Sequence, residues 1–107
     1  MKKYKVKISS LALRDMEEIY SYISENLGSP ATAMKQYERI AEAIESLSVF
    51  PERFQIMEIV PKLSKDVRQV TVDHYSAIYT IDADTVTVIR VLYSVSDLSA
   101  KLQGWLS

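Results

Sequence analysis

Residues 3–9 alternate, with Tyr4, Val6 and Ile8 on one side and Lys3, Lys5 and Lys7 on the other. That two-residue period predicts a half-buried strand with a lysine row turned outward, and the lysines discourage edge-to-edge pairing. Ser10 is placed to cap a following helix. In that helix Leu13, Met16, Ile19 (with Tyr20), Ile23 and Leu27 recur at three- and four-residue steps as one apolar stripe. Gly28 ends the helix as a C′ residue would. Ser29-Pro30 then restarts the pattern, with serine as N-cap and proline at the first helical position. Tyr37, Ile40, Ala41, Ile44 and Leu47 form a second stripe, which Pro51 stops. Two helices joined by so short a turn predict an antiparallel helical hairpin.

Beyond residue 66 the period changes. Val, Ile and Thr take 6 of 41 positions from 10 to 50 but 13 of 25 from 67 to 91, so helices come first and sheet second. Val67–Asp73, Tyr75–Ile81 and Val86–Leu92 are strand-length runs. The short connections at Asp73-His74 and Asp82–Thr85 predict a three-strand antiparallel meander. Gln55–Val60 reads as a short strand ended by Pro61, and Lys62–Asp66 as a surface loop. Leu98, Leu102 and Trp105 suggest a short final helix with Ser96 or Asp97 near its cap. The expected class is α+β, with order β-α-α-β(3-4): a helical hairpin on a largely antiparallel sheet and a short C-terminal helix.

Composition bounds the chemistry. A chain of 107 residues makes one domain, spanning 1–107, and 48% apolar with 25% charged residues is ordinary globular usage. Cysteine is absent and His74 is the single histidine, so disulfides, thiol catalysis and a one-chain metal site drop out; no metal or other cofactor is expected. Two glycines leave no phosphate-cradling loop. No apolar run approaches the roughly 20 residues of a membrane span, and the lysine-rich start lacks the apolar region of a signal peptide, so a cytoplasmic location is the expectation. A net charge of −1 does not argue for nucleic acid, yet it hides a gradient. Residues 1–14 carry five bases and no acid, whereas residues 15–26 carry four acids and no base.

A basic strand, a helical hairpin and a meander closed by Val88-Ile89-Arg90-Val91-Leu92-Tyr93-Ser94-Val95-Ser96-Asp97-Leu98 together resemble the RelE/ParE superfamily of type II toxin–antitoxin toxins. The matching stretches are Ala12–Ile23, Ile40–Leu47 leading to Phe50-Pro51-Glu52, Val67-Arg68, Tyr75–Tyr79 and Val86–Leu98, in order over nearly the whole chain. The stretch Phe50-Pro51-Glu52-Arg53-Phe54 after the second helix looks closest to the ParE-like, plasmid-stabilisation branch. The resemblance implies a toxin neutralised by a co-encoded antitoxin that wraps it. Its target would be DNA gyrase for ParE-like members, or the ribosome with its mRNA for RelE-like ones. A homodimer is plausible where the antitoxin groove stands empty.

RelE-like toxins cut mRNA with cations at the scissile phosphate, where charge builds in the transition state. The family patterns place one arginine at position 76 and another at position 96; here both are serine. Each such loss is worth on the order of 3 kcal/mol, about a hundredfold in rate. The resemblance thus argues for a gyrase-directed action above ribonuclease action, with an inactive toxin-fold interaction module as a third reading. If an enzyme, the chain would be a metal-independent endoribonuclease.

The catalytic candidates are Tyr93, at the family's aromatic or histidine position past the last strand, and Arg68, at its basic position entering the meander. A tyrosine is a poor base at neutral pH unless cations depress its pKa, and packing with a bonded hydroxyl would also explain Tyr93. Arg68 either contacts target or antitoxin carboxylate or makes a structural ion pair at the sheet rim. Alternation puts Arg90 on a face with Val86 and Val88. There it needs acceptors, so a pair with a helix acid is favoured over a cleft-facing cation. Tyr75 and Tyr79 read as core or groove lining rather than as platforms for RNA bases. Asp97 matches the family's acid but is also explained by helix capping. Lys3, Lys5 and Lys7 are candidate phosphate contacts. His74, in a two-residue turn, is a weaker candidate general base.

Overall fold

The computed structural model describes residues 2–57 and 66–93. Strand β1 (Lys5–Ile8) leads into helix α1 (Ser10–Asn26), helix α2 (Pro30–Glu45), two short 3-10 turns (Ser46–Ser48 and Pro51–Arg53), and strands β2 (Val67–Val72), β3 (Tyr75–Asp82) and β4 (Thr85–Tyr93). The four strands form one sheet in the order β1-β4-β3-β2. The meander is antiparallel throughout, and only β1 runs parallel, to β4. Both hairpin turns contain two residues, and the first residue of each, Asp73 at φ 56° and Ala83 at φ 55°, is left-handed.

Local sequence explains the helix boundaries. Ser9, not Ser10, caps α1, its hydroxyl accepting from the Ala12 N–H at 3.0 Å. Gly28 follows α1 at φ 63°, where nothing but glycine is unstrained, and Ser29 caps α2 with Pro30 at its first position. The buried stripe of α1 is rotated from the predicted one. Ala12, Asp15, Met16 and Ile23 face inward, while Leu13 and Leu27 are 42% and 64% exposed. Ala12 wins the inner position because a small side chain lets the helix backbone approach the sheet. On α2, Ile40 and Ile44 are buried as the period required, with Ala33 added. The helix stops at Glu45, ahead of Pro51. Leu47, the residue that ends the predicted stripe, is buried by the following 3-10 turn; Arg53 ties that turn to the next, its guanidinium donating to Phe50 O at 2.9 Å and also to Val49 O and Ser46 O.

The main core lies between the helices and one face of the sheet, where Met16, Ile40 and Ile44 meet Val70, Ala77, Tyr79, Val86 and Val88. A smaller apolar cluster, Val67, Ile78 and Leu92 with Met57 and Ile89, is contributed by the opposite strand positions. The predicted strand at Gln55–Val60 reduces, within the described residues, to an isolated antiparallel bridge between Ile56 and Arg68. The predicted C-terminal helix, with Ser96 and Asp97, lies outside the described residues.

One irregularity decides the site. Tyr79 pairs with Val88 and Ile78 with Arg90, so Ile89 is an extra residue in β4. Such a bulge reverses alternation beyond it. Val91 therefore joins Val86 and Val88 in the main core, and Arg90 does not share their face as simple alternation predicted.

Candidate functional site

β1 ends opposite Val88, so the last five of the nine residues of β4 have no neighbouring strand on that side. The start of α1 replaces it. The Ser9 N–H donates to Val88 O and the Ser9 hydroxyl to Ile89 O at 3.0 Å. The Val91 N–H donates to the Asp15 carboxylate at 3.0 Å. The same carboxylate accepts Arg90 Nε at 2.8 Å and Nη2 at 2.9 Å, a two-pronged pair in which the Asp15 side chain is 9% exposed and that of Arg90 22%. The hydrogen bonds that Arg90 donates to Asp15 raise its pKa above its ordinary value, against the lowering effect of burial. Arg90 thus has the helix acid that its apolar surroundings demanded, and meets it beyond the end of β1, where α1 flanks the edge of β4.

Beside this pair opens a cleft of about 760 Å³, within the range of ligand-binding clefts. The second half of α1 supplies Glu18, Ile19, Tyr22 and Ile23, and Leu27 just beyond its end; α2 supplies Thr32 and Gln36; the β2–β3 turn supplies His74 and the start of β3 Tyr75; and β4 supplies Arg90 to Tyr93. Its wall is aromatic. Tyr75 and Tyr93 meet edge-to-face with centroids 5.4 Å apart, and His74 lies 6.2 Å from Tyr93. Burial, then the neighbouring Tyr93 and Tyr22, push the Tyr75 hydroxyl pKa up, which disfavours a phenolate there. At the outer end of the turn, Asp73 binds Arg39 with both oxygens, at 2.8 and 3.1 Å, and Gln36 at 3.1 Å. These hydrogen bonds hold its carboxyl below the usual carboxylate range.

Of the sequence candidates, Tyr75, Arg90, Tyr93 and His74 converge on this cleft. Arg68 and Tyr79 do not. They pair with each other across β2 and β3, four residues along β3 from Tyr75, roughly 13 Å at strand spacing. Arg68 donates to Glu52 O at 3.0 Å and Phe54 O at 2.7 Å, tying the segment after α2 to the sheet. The buried Tyr79 hydroxyl donates to Pro51 O at 2.6 Å, and burial pushes its pKa up to about 12. Tyr93 and Arg68, the candidate catalytic pair, are therefore on separate parts of the sheet. Lys3, Lys5 and Lys7 are exposed, the last two on the edge strand β1, and Asp97 is outside the described residues. Ser76 is 2% exposed, a neutral buried hydroxyl where the ribonuclease pattern has a cation. Sequence reasoning missed Glu18, Tyr22 and Gln36. Tyr22 alone carried a signal, as an aromatic off the apolar stripe of its helix. No group of three or more metal-binding side chains occurs among the described residues, and no described helix is long and apolar enough to cross a membrane.

The architecture is that of known toxins. It superposes on a structure of a chromosomal ParDE toxin–antitoxin system from P. aeruginosa with a TM-score of 0.70, at 20% identity, covering 88% of this chain and 99% of that one. The RelBE2 toxin–antitoxin complex of Mycobacterium tuberculosis gives 0.60 at 21% identity, covering 87% and 93%. An archaeal RelE–RelB complex from Pyrococcus horikoshii OT3 gives 0.57 at 17% identity, covering 89% and 98%. At these identities the likeness establishes the fold. Among curated protein sequences none matches the chain. The sequence itself, however, matches the model of the ParE toxin of type II parDE toxin–antitoxin systems over residues 6–98, from β1 to beyond β4, and the chain belongs to that toxin family.

Proposed function

We propose that this toxin acts by binding a protein target, DNA gyrase, and not by cutting mRNA, and that a co-encoded antitoxin neutralises it. The observation carrying this reading is the state of its cations. Arg90 is bound by Asp15, Arg68 by two backbone carbonyls, and position 76 is a buried serine. A phosphoryl-transfer site needs preorganised positive charge aimed at the phosphate. Among the described residues no two such cations converge beside Tyr93. In a gyrase supercoiling assay, micromolar toxin is expected to inhibit; an unaffected enzyme removes this target.

Ribosome-dependent mRNA cleavage keeps one supporting observation, the 56% exposure of Tyr93 at the cleft rim. Cleavage that Tyr93→Phe abolishes would reverse the ranking. Growth arrest on induction, relieved by the neighbouring open reading frame, is expected; harmless induction would instead support an inactive interaction module. The antitoxin is expected to co-elute with the toxin on size exclusion. The cleft, with Leu27, Tyr22 and Tyr93 exposed around it, gives the isolated toxin a surface for self-association to a dimer.

A further inference from the structure

The cleft between α1 and the end of β4 has a chemistry more specific than an apolar groove. Its only described cation, Arg90, is already neutralised by Asp15. Glu18 lines the same cleft, is exposed, and makes no hydrogen bond or ion pair among the described residues. Arg90 feels its field without bonding it. The lining therefore carries one uncompensated negative charge, on a helix segment, residues 15–26, that holds four acids and no base. Around it stand three tyrosines: Tyr75, set edge-on to Tyr93 at 5.4 Å, and Tyr22, whose hydroxyl is near enough to act on that of Tyr75. Tyr22 and Tyr93 are 60% and 56% exposed and leave ring surface free. Ring faces attract cations, and the planar guanidinium also stacks on them. Ile19 and Ile23 behind the tyrosines are apolar and suit the methylene stem of a long side chain.

We propose that this cleft is a guanidinium site: it receives an arginine side chain, flanked by apolar residues, from a partner polypeptide. The arginine lies against Tyr22 and Tyr93 and pairs with Glu18. That the partner is the antitoxin rests on the function proposed above; the chemistry of the cleft does not.

The test uses the full chain and synthetic helical peptides with leucines four residues apart and one central residue varied among arginine, citrulline and glutamate. Binding is followed by titration calorimetry and by NMR shifts of labelled tyrosines. The arginine peptide is expected to shift Tyr22 and Tyr93 and to bind about tenfold more tightly than the citrulline peptide, its neutral isostere. Glu18→Gln should erase most of that difference. Tyr22→Phe should keep it and Tyr22→Leu reduce it, since phenylalanine retains a ring face. Both side chains are exposed, so these variants are expected to fold. Equal affinity for arginine and citrulline, shifts elsewhere than the cleft, or a toxin dimer through the cleft that the arginine peptide does not displace would overturn the proposal. Co-elution with the antitoxin that is indifferent to Glu18→Gln and Tyr22→Leu would overturn the antitoxin as its occupant and leave the toxin assignment intact. Failure of growth arrest with the peptide discrimination preserved would do the reverse.

Discussion

Asp15→Ala is expected to be the most damaging single substitution among the charged residues. Asp15 accepts three hydrogen bonds, at 2.8 and 2.9 Å from Arg90 and 3.0 Å from the Val91 N–H, with its side chain 9% exposed. Removing one partner of such a pair leaves a desolvated charge uncompensated, at a cost of about 3–5 kcal/mol. The orphaned Val91 N–H adds a penalty of its own, about 1–3 kcal/mol, although the two overlap because the groups share one carboxylate. Domains of this size are stable by about 5–15 kcal/mol, so a fifth or more of the total is at stake. At roughly 4–8 °C per kcal/mol, the melting temperature should fall by at least about 12 °C. Urea unfolding followed by far-UV circular dichroism measures the change directly. Replacing both partners, Asp15→Leu with Arg90→Met, should recover part of the loss but not all, since the Val91 N–H still lacks an acceptor. A cost below about 1 kcal/mol for Asp15→Ala, or full recovery in the double variant, would refute the view that Asp15 stands in for a missing strand.

Tyr79→Phe is expected to cost about 1–3 kcal/mol at neutral pH by leaving the buried Pro51 carbonyl without its donor, read by urea unfolding. In the wild type a raised tyrosine pKa gives stability that is full below the unfolded value near 10 and falls as pH rises toward about 12; Tyr79→Phe should flatten that decline. Arg68→Ala should release the segment after α2, destabilising by about 1.5–3 kcal/mol, with faster amide exchange at Met57 as the local readout. Asp73 behaves oppositely to Tyr79. Its lowered pKa makes its contribution full above the ordinary aspartate value, near 3.9, and lost as pH falls through the folded-state value, so Asp73→Asn and wild type should converge in stability in strong acid. A constant difference down to pH 2 would contradict the assignment.

What the sequence determined by itself is what short-range physics governs. Period-two alternation located β1 and its outward lysines, and the β-branched run located the meander. Gly28, Ser29 and Pro30 marked the break between helices because caps and left-handed turns depend on a few adjacent residues. Arg90 was legible as a charge in need of an acid, since its apolar neighbours left it no other partner. Tertiary structure decided which acid, because the answer turned on β1 ending opposite Val88 and on α1 flanking β4 beyond that point, neither of which any local pattern announces. The stripe of α1 that faces the sheet buries Asp15 in place of Leu13, and the cleft lies beside it. Glu18 and Tyr22 lie outside the buried stripe of their helix, and burial is what periodicity reports. Only packing at long sequence distance placed them in one cleft with Tyr93.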